Sequence, residues 1–340
     1  MVHPAEADTR PAHSPASPKL FLETYRWMLL ARTAEEKIAN LYRSGKIVGG
    51  VFLGKGQEAL SASLGVHLKP GDIFAPLIRD QAGRMAFGES LLDYIRTYMG
   101  SRLGPMQGRD GNIHRGRPRE GMLAMISHLG AMVPTVAGAL MARRFKGIKG
   151  CVGATCIGDG GTSTGAFHEG LNLAAVERLP LVVVVANNQY AYSTPNSRQF
   201  ACSDLVQRAV GYGVEGHSVD GTDLADCLSV LGHAVERARS GHGPQLVVAS
   251  LLRLAGHGEH DDAHYIDPQL RKAAVGRDCL RLAEDEILKR QWAAPAEVEA
   301  WHTAAQSQVE DAVASTLREP LPDPGEETWQ ALSTPHLNEG

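Results

Sequence analysis

The chain has 340 residues, of which 43% are apolar and 21% charged, with a formal charge of -4. That length can bury one large α/β domain or two smaller ones, the charge balance gives no basis for binding nucleic acid, and no apolar run approaches the roughly 20 residues that span a membrane. The five cysteines, Cys151, Cys156, Cys202, Cys227 and Cys279, are odd in number with no paired C-x-x-C spacing, which argues against a disulfide scaffold or a zinc site built on them and for a reducing, cytoplasmic setting.

Residues 1–18 are rich in Pro, Ala, Ser and His without apolar periodicity, and are expected to be a disordered tail. They contain no apolar h-region, and Arg10 alone beside Glu6 and Asp8 does not make a mitochondrial presequence. Phe21, Tyr25, Met28, Leu29, Ile38 and Leu41 predict a helix over Lys19–Ser44. Gly49–Gln57 reads as a glycine-rich turn before a helix over Glu58–Leu68; its Gly54-Lys55-Gly56 lacks the Gly-Lys-Ser/Thr ending of a phosphate loop. Pro70-Gly71-Asp72 is a turn before a short strand and Arg79-Asp80. Gly100–Gly121 carries five arginines and six glycines without periodicity, and a basic loop of that length inside a compact domain is more often functional than structural. Gly130–Met141, rich in small residues, suits a helix packed closely on a sheet.

An apolar run, Cys151–Ile157, then breaks at Gly158-Asp159-Gly160-Gly161. A helix-period segment follows to Glu177, and a second apolar run, Leu181–Ala186, ends at Asn187-Asn188. In such a unit the strands are parallel neighbours, so Asp159 and Asn188 arrive together at the sheet edge where open α/β folds bind ligands. The glycines admit close approach of an oxyanion, and Thr162 to Thr164 are suitable helix starters whose free N–H groups favour phosphate. A carboxylate plus an amide oxygen suits magnesium shared with a diphosphate. Asp in a glycine turn is by itself usually a turn residue; the Asn-Asn at the end of the next strand, with 26 residues between Gly160 and Asn187, is what makes the pair informative.

Further strands are predicted over Val210–Val219 and Gln245–Arg253, separated by a helix over Asp223–Arg239. Ala255–Tyr265 holds His257, His260 and His264 with Glu259, Asp261 and Asp262; its glycines and mixed charge suit a mobile active-site loop better than a metal cluster. Pro268–Leu317 is helical in pattern. Residues 19–319 are expected to form the folded α/β domain, with 320–340 an extended Pro-rich tail.

Several blocks in one order (Gly54–Ala59, Ile78–Gln81, Gly108–His114, His128–Gly138, the Gly158–Asn188 core, Asn187–Pro195 and Gly256–Tyr265) resemble the alpha subunit of the decarboxylating component of 2-oxo acid dehydrogenase complexes. The resemblance implies a three-layer αβα thiamine diphosphate-binding fold with a mainly parallel central sheet. It implies Mg2+ held by Asp159, Asn188 and the Tyr190 carbonyl, and diphosphate against Gly158, Gly160, Gly161 and Arg79. It further implies that the backbone of Ser127 and Leu129 touches the aminopyrimidine and that His257 is the catalytic loop histidine. The bound cofactor would act as the electron sink for decarboxylation of a 2-oxo acid, with the acyl group passing to a lipoyl-bearing acyltransferase component. The glutamate that activates the cofactor belongs, in two-chain members, to a beta subunit, which implies an alpha2-beta2 heterotetramer.

Ile78, Gln81 and Phe52 depart from residues common in the family, and Glu259 follows Gly258 where the animal pyruvate enzymes carry a regulatory serine. Pyruvate, branched-chain 2-oxo acids and acetoin all remain open as substrates. A transketolase-like half-protein and a degenerate scaffold subunit are the competing readings. No G-x-G-x-x-G opens a first strand, which argues against a simple nicotinamide-binding protein.

Overall fold

The computed structural model describes residues 16–110, 114–327 and 330. Gly111, Asn112 and Ile113 of the Gly108–His114 block, and most of both expected tails, lie outside the described residues.

The strands are β1 (Ile73–Ala75), β2 (Gly153–Gly158), β3 (Leu181–Asn187), β4 (Tyr190–Ala191), β5 (Thr194–Pro195), β6 (Glu215–Asp220) and β7 (Gln245–Ser250). Five of them form one sheet in the order β1-β2-β3-β7-β6 with every pairing parallel, while β4 and β5 make a small antiparallel hairpin just after β3. Successive side chains of a strand face opposite sides, and β3 is apolar on both. Val182 and Val184 enter one core with the helices Pro18–Arg43, Glu58–His67 and Leu224–Arg239. Leu181, Val183 and Val185 enter a second core with the helices Met132–Phe145 and Gly165–Val176. A sheet buried on both faces between helix layers is the three-layer αβα arrangement expected from the sequence.

The helices begin where polar side chains satisfy their free N–H groups. Ser17 Oγ accepts from Leu20 N ahead of Pro18–Arg43, and the Asp223 carboxylate accepts from Ala225 N and Asp226 N ahead of Leu224–Arg239. The C-terminal helices Cys279–Lys289 and Pro295–Thr316 pack on Pro18–Arg43.

One expected strand is corrected. Arg208–Tyr212 is a short helix ended by Gly213 in the left-handed region (φ 65°), and the strand starts only at Glu215. As the sheet's edge strand, β6 alternates between buried and exposed positions, so the apolar run assumed for a central parallel strand is absent.

The arginine-rich loop is tied down by ion pairs. Arg115 reaches a buried cluster in which Glu89 accepts from Gln81, Arg84 and Arg115. Arg117 pairs with Asp93, while Arg102 and Arg109 pair with Glu326 and Glu327. Arg102 N also donates to the Pro320 carbonyl, so the start of the Pro-rich segment runs along this loop. Four of the loop's five arginines therefore brace structure, which narrows the functional reading of the loop to its other residues.

Candidate cofactor-binding site

The register of β2 on β3 pairs Gly158 with Ala186. Just past those residues the N–H groups of Asp159 (3.3 Å) and Asn188 (2.9 Å) both donate to the Ala186 carbonyl. The two residues predicted to meet are thus held on one oxygen, and both are buried, at 1% and 7% exposure. Burial pushes the Asp159 carboxyl above its usual range, opposed by a hydrogen bond from Gln199 Nε2 to Oδ2 at 2.7 Å. Asn188 Oδ1 faces Tyr190 N at 3.5 Å. These are hard oxygen donors, the set a magnesium ion takes.

Gly160–Ser163 form one 3-10 turn, after which the helix Gly165–Val176 starts with Thr164 as its cap. Of the expected starters Thr162 to Thr164, the last is the one that caps the helix. A Cβ on Gly160 would lie 2.4 Å from Ala191 Cβ of the β4–β5 hairpin, and one on Gly161 2.7 Å from Ile157 Cγ1 of β2, so both glycines sit where the chain packs too closely for a side chain. At Gly158 a Cβ would meet nothing within 4 Å, leaving open space beside the carboxylate.

Arg79 donates to the carbonyls of Leu53 (2.9 Å) and His257 (2.7 Å). Arg253, on the loop after β7 and 1% exposed, donates to the Tyr192 carbonyl (2.9 Å) and the Tyr265 hydroxyl (2.6 Å). Among the described residues neither guanidinium pairs with a carboxylate. Two buried cations with neutral partners make a site of positive potential, and their neighbours register it. Burial, then Arg253, lowers Arg79 to about 10. Burial, then Arg79 and Arg253, lowers His257 to about 4. The imidazole is neutral at pH 7, set edge-on to Phe52 and 4.4 Å from the Tyr192 ring centroid.

The loop carrying His257 is braced by Asp261, whose carboxylate accepts from His257 N (2.6 Å), Ala263 N (3.1 Å) and the Tyr265 hydroxyl (2.5 Å). Glu259 N donates to the Val51 carbonyl, and its side chain pairs with Arg43. Ser127 Oγ lies 2.8 Å from His114 Nε2, whose Nδ1 lies 2.6 Å from Asp110 Oδ2. Leu129 is 56% exposed. Both are joined to the glycine turn through Gly130, which has φ 82° and would bring a Cβ within 2.2 Å of Thr164 Oγ1.

Sequence reasoning missed Gln199 and Arg253. Gln199 sits in the segment after the hairpin, where no spacing rule marks it, and its Oε1 is buried without a partner. Arg253 closed an expected strand and so was counted with the sheet; the strand stops at Ser250 and frees it to turn into the site. Gln81, which departs from the family pattern, is consumed in the Glu89 cluster.

Residues 25–325 match the family described as the dehydrogenase E1 component. The chain belongs to that family. It is 34% identical over 321 residues to the alpha subunit of acetoin:2,6-dichlorophenolindophenol oxidoreductase of Cupriavidus necator, covering 94% of this chain and 96% of the relative. It is 31% identical over 306 residues to the pyruvate dehydrogenase E1 component subunit alpha of Rhizobium meliloti, covering 90% and 88%. It is 35% identical over 243 residues to the 2-oxoisovalerate dehydrogenase subunit alpha of Bacillus subtilis, covering 71% and 73%. This E1 chain is accordingly an oxidoreductase of the 2-oxo acid dehydrogenase class and an alpha-type subunit. The family depends on thiamine diphosphate, and subunit names of this kind imply a beta partner. Within the E1 chain all five cysteines are free, and among the described residues no helix is long and apolar enough to cross a membrane.

Proposed function

We propose that this chain is the alpha subunit of an alpha2-beta2 2-oxo acid dehydrogenase that holds thiamine diphosphate through magnesium and passes an acyl group to a lipoyl-bearing acyltransferase component. The observation that carries the reading is the buried Asp159–Asn188 pair converging on one carbonyl at adjacent strand ends. The residues fit the cofactor: Asp159, Asn188 Oδ1 and the Tyr190 carbonyl are oxygen donors for Mg2+, and the open space at Gly158 is where a diphosphate oxygen could approach the backbone. Bound there, thiamine diphosphate would supply the electron sink for loss of carbon dioxide.

The chain's own residues do the rest. Arg79 is positioned to exchange its Leu53 and His257 carbonyl partners for a diphosphate oxygen, a stronger charge-assisted contact. Neutral His257 can accept or donate a proton beside the reacting carbon, and Asp261 fixes its loop. Phe52 and Tyr192 pack against its ring. Ser127 and Leu129 would present backbone to the aminopyrimidine. Exposed Ile126, Leu129 and Tyr192 leave an apolar rim for the beta chain to cover.

A second reading, the acetoin dehydrogenase alpha subunit, is favoured by the apolar Phe52 at the substrate side and by the near-complete coverage of the Cupriavidus necator relative. One experiment separates them. The chain co-expressed with its beta subunit is assayed with pyruvate, 3-methyl-2-oxobutanoate and acetoin, in the presence of thiamine diphosphate, magnesium and an artificial electron acceptor. Turnover of a 2-oxo acid is the expected outcome; turnover of acetoin alone would establish the second reading. A well-formed complex that binds no cofactor would overturn both.

A further inference from the structure

On the sheet's outer edge a second group of chemistry-bearing side chains meets. Glu215 and His217 are two residues apart on β6 and so share a face, and His233 reaches them from the helix Leu224–Arg239. Their ligand atoms all lie within 4.8 Å of one another. Glu215 sits at the amino-terminal end of its strand, whereas Asp159 and Asn188 follow the carboxyl-terminal ends of theirs, so the two groups occupy opposite edges of the parallel sheet.

The hydrogen bonds around the group define which atoms face it. Gln245 is fully buried and its Nε2 donates to the carbonyls of Gly243 and Pro244. Its Oε1 is therefore the atom 2.8 Å from His217 Nε2, and as an acceptor it requires the proton on Nε2. That tautomer leaves the His217 Nδ1 lone pair as the metal-binding atom, the orientation that outer hydrogen bonds impose on ligating histidines. Arg237 takes Glu215 Oε2 with both Nε (2.9 Å) and Nη2 (2.8 Å). Oε1 is left towards His233 Nε2, 3.9 Å away.

We propose that Glu215, His217 and His233 form a site for a zinc-class divalent cation that ties edge strand β6 to the helix Leu224–Arg239. Two imidazoles and a carboxylate are the ligand set of a borderline cation; magnesium and calcium prefer oxygen alone. Ligand atoms of one tetrahedral zinc lie roughly 3.4 Å apart for bonds of ~2.1 Å. The group therefore closes by at most about 1.5 Å, a movement open to His233 and Glu215, whose side chains are 35% and 37% exposed. His217, 8% exposed and held by Gln245, is the fixed point. Three protein ligands leave a fourth position for water.

The test is Co2+ titration of the full chain after chelator treatment, with Mg2+ kept in excess to occupy the Asp159 site. The expected result is one equivalent bound with tetrahedral visible bands, no sulfur charge-transfer band, and displacement by Zn2+. Binding should weaken at least ~10–100-fold in both His233→Ala and Glu215→Gln, while the melting midpoints of the metal-free variants stay near that of the parent. Zn2+ should raise the parent's midpoint and not those of the variants. Absence of visible bands in the parent, a thiolate band, or variants that bind like the parent would each overturn the proposal.

Discussion

Asp159→Asn separates the site's chemistry from its architecture. The asparagine keeps the shape of the side chain and can still accept the Gln199 Nε2 hydrogen bond through Oδ1, so the hairpin that covers the turn keeps its anchor. What disappears is a buried negative charge. Because burial holds the Asp159 carboxyl above its usual range, the ionised form opposes folding of the ligand-free chain at neutral pH. Its removal should leave the metal-free midpoint unchanged or higher. At about 2.1 cal/mol/K per residue over 340 residues, unfolding entropy is ~0.7 kcal/mol/K, so each kcal/mol moves the midpoint by about 1.4 °C.

Binding should respond in the opposite sense. Truncating one partner of a buried charge pair costs about 2–5 kcal/mol, which is roughly a 30-fold to 5,000-fold loss of affinity for magnesium and thiamine diphosphate together. Calorimetric titration of the co-expressed complex reads this directly, with scanning calorimetry of the ligand-free chain as the fold control. A folded variant that binds magnesium and thiamine diphosphate as tightly as the parent would refute the assignment of Asp159.

Two further outcomes follow from the buried charges. In Glu89→Gln the guanidinium groups of Arg84 and Arg115 lose the buried carboxylate they share, which should cost about 3–5 kcal/mol, or roughly 4–7 °C in the midpoint by the same conversion. Burial raises the Glu89 carboxyl, but Arg115 and Arg84 outweigh it and hold it well below the usual range. Its stabilisation is therefore complete above the unfolded glutamate pKa and fades as pH falls below it; a variant that melts like the parent at pH 7 would contradict this account. His257, lowered to about 4, contributes stability above the unfolded histidine value near 6.5 that is lost as pH falls through about 4. Its imidazole NMR signals should titrate near 4 in the free protein and move to higher pH when inorganic diphosphate and magnesium are added; titration near 6.5 without ligand would show that the two arginines do not act on it.

The central unit was legible because two independent periodicities agreed. The runs Cys151–Ile157 and Leu181–Ala186 can only be buried parallel strands, and their connection forces Asp159 and Asn188 to the same edge. The helix start at Thr164, one of the Thr162 to Thr164 starters, was visible for the same local reason, whereas Ser17, counted with the expected disordered tail, caps the first helix. The edge strand was not, because β6 carries Glu215, His217 and Asp220 where a central strand would carry apolar residues, and its boundary depends on Gly213 turning left-handed. Nor could spacing reveal that Arg115 would be spent on Glu89, 26 residues away, or that Gln199 would reach back 40 residues to Asp159. Such partners are set by how loops lie over the finished sheet.

The charge distribution explains why this half of the site is built to be completed. Arg79 and Arg253 are desolvated among carbonyls and the Tyr265 hydroxyl, neutral acceptors that hold them without cancelling their charge. Glu35 lies close enough to Arg79 to feel it, yet burial, reinforced by Glu58, lifts its carboxyl to about 8, so at neutral pH it supplies little countercharge. An arriving diphosphate would give Arg79 and Arg253 a directly bonded anion, which neither has among the described residues, and would raise His257 as it does so. Binding should then draw protons from solution at pH values between about 4 and neutrality. The same positive potential that lowers the affinity of the empty site for protons is what fits it to a polyanion. Ile126, Leu129 and Tyr192 are exposed at the site's rim, the apolar surface proposed above for the second chain to cover.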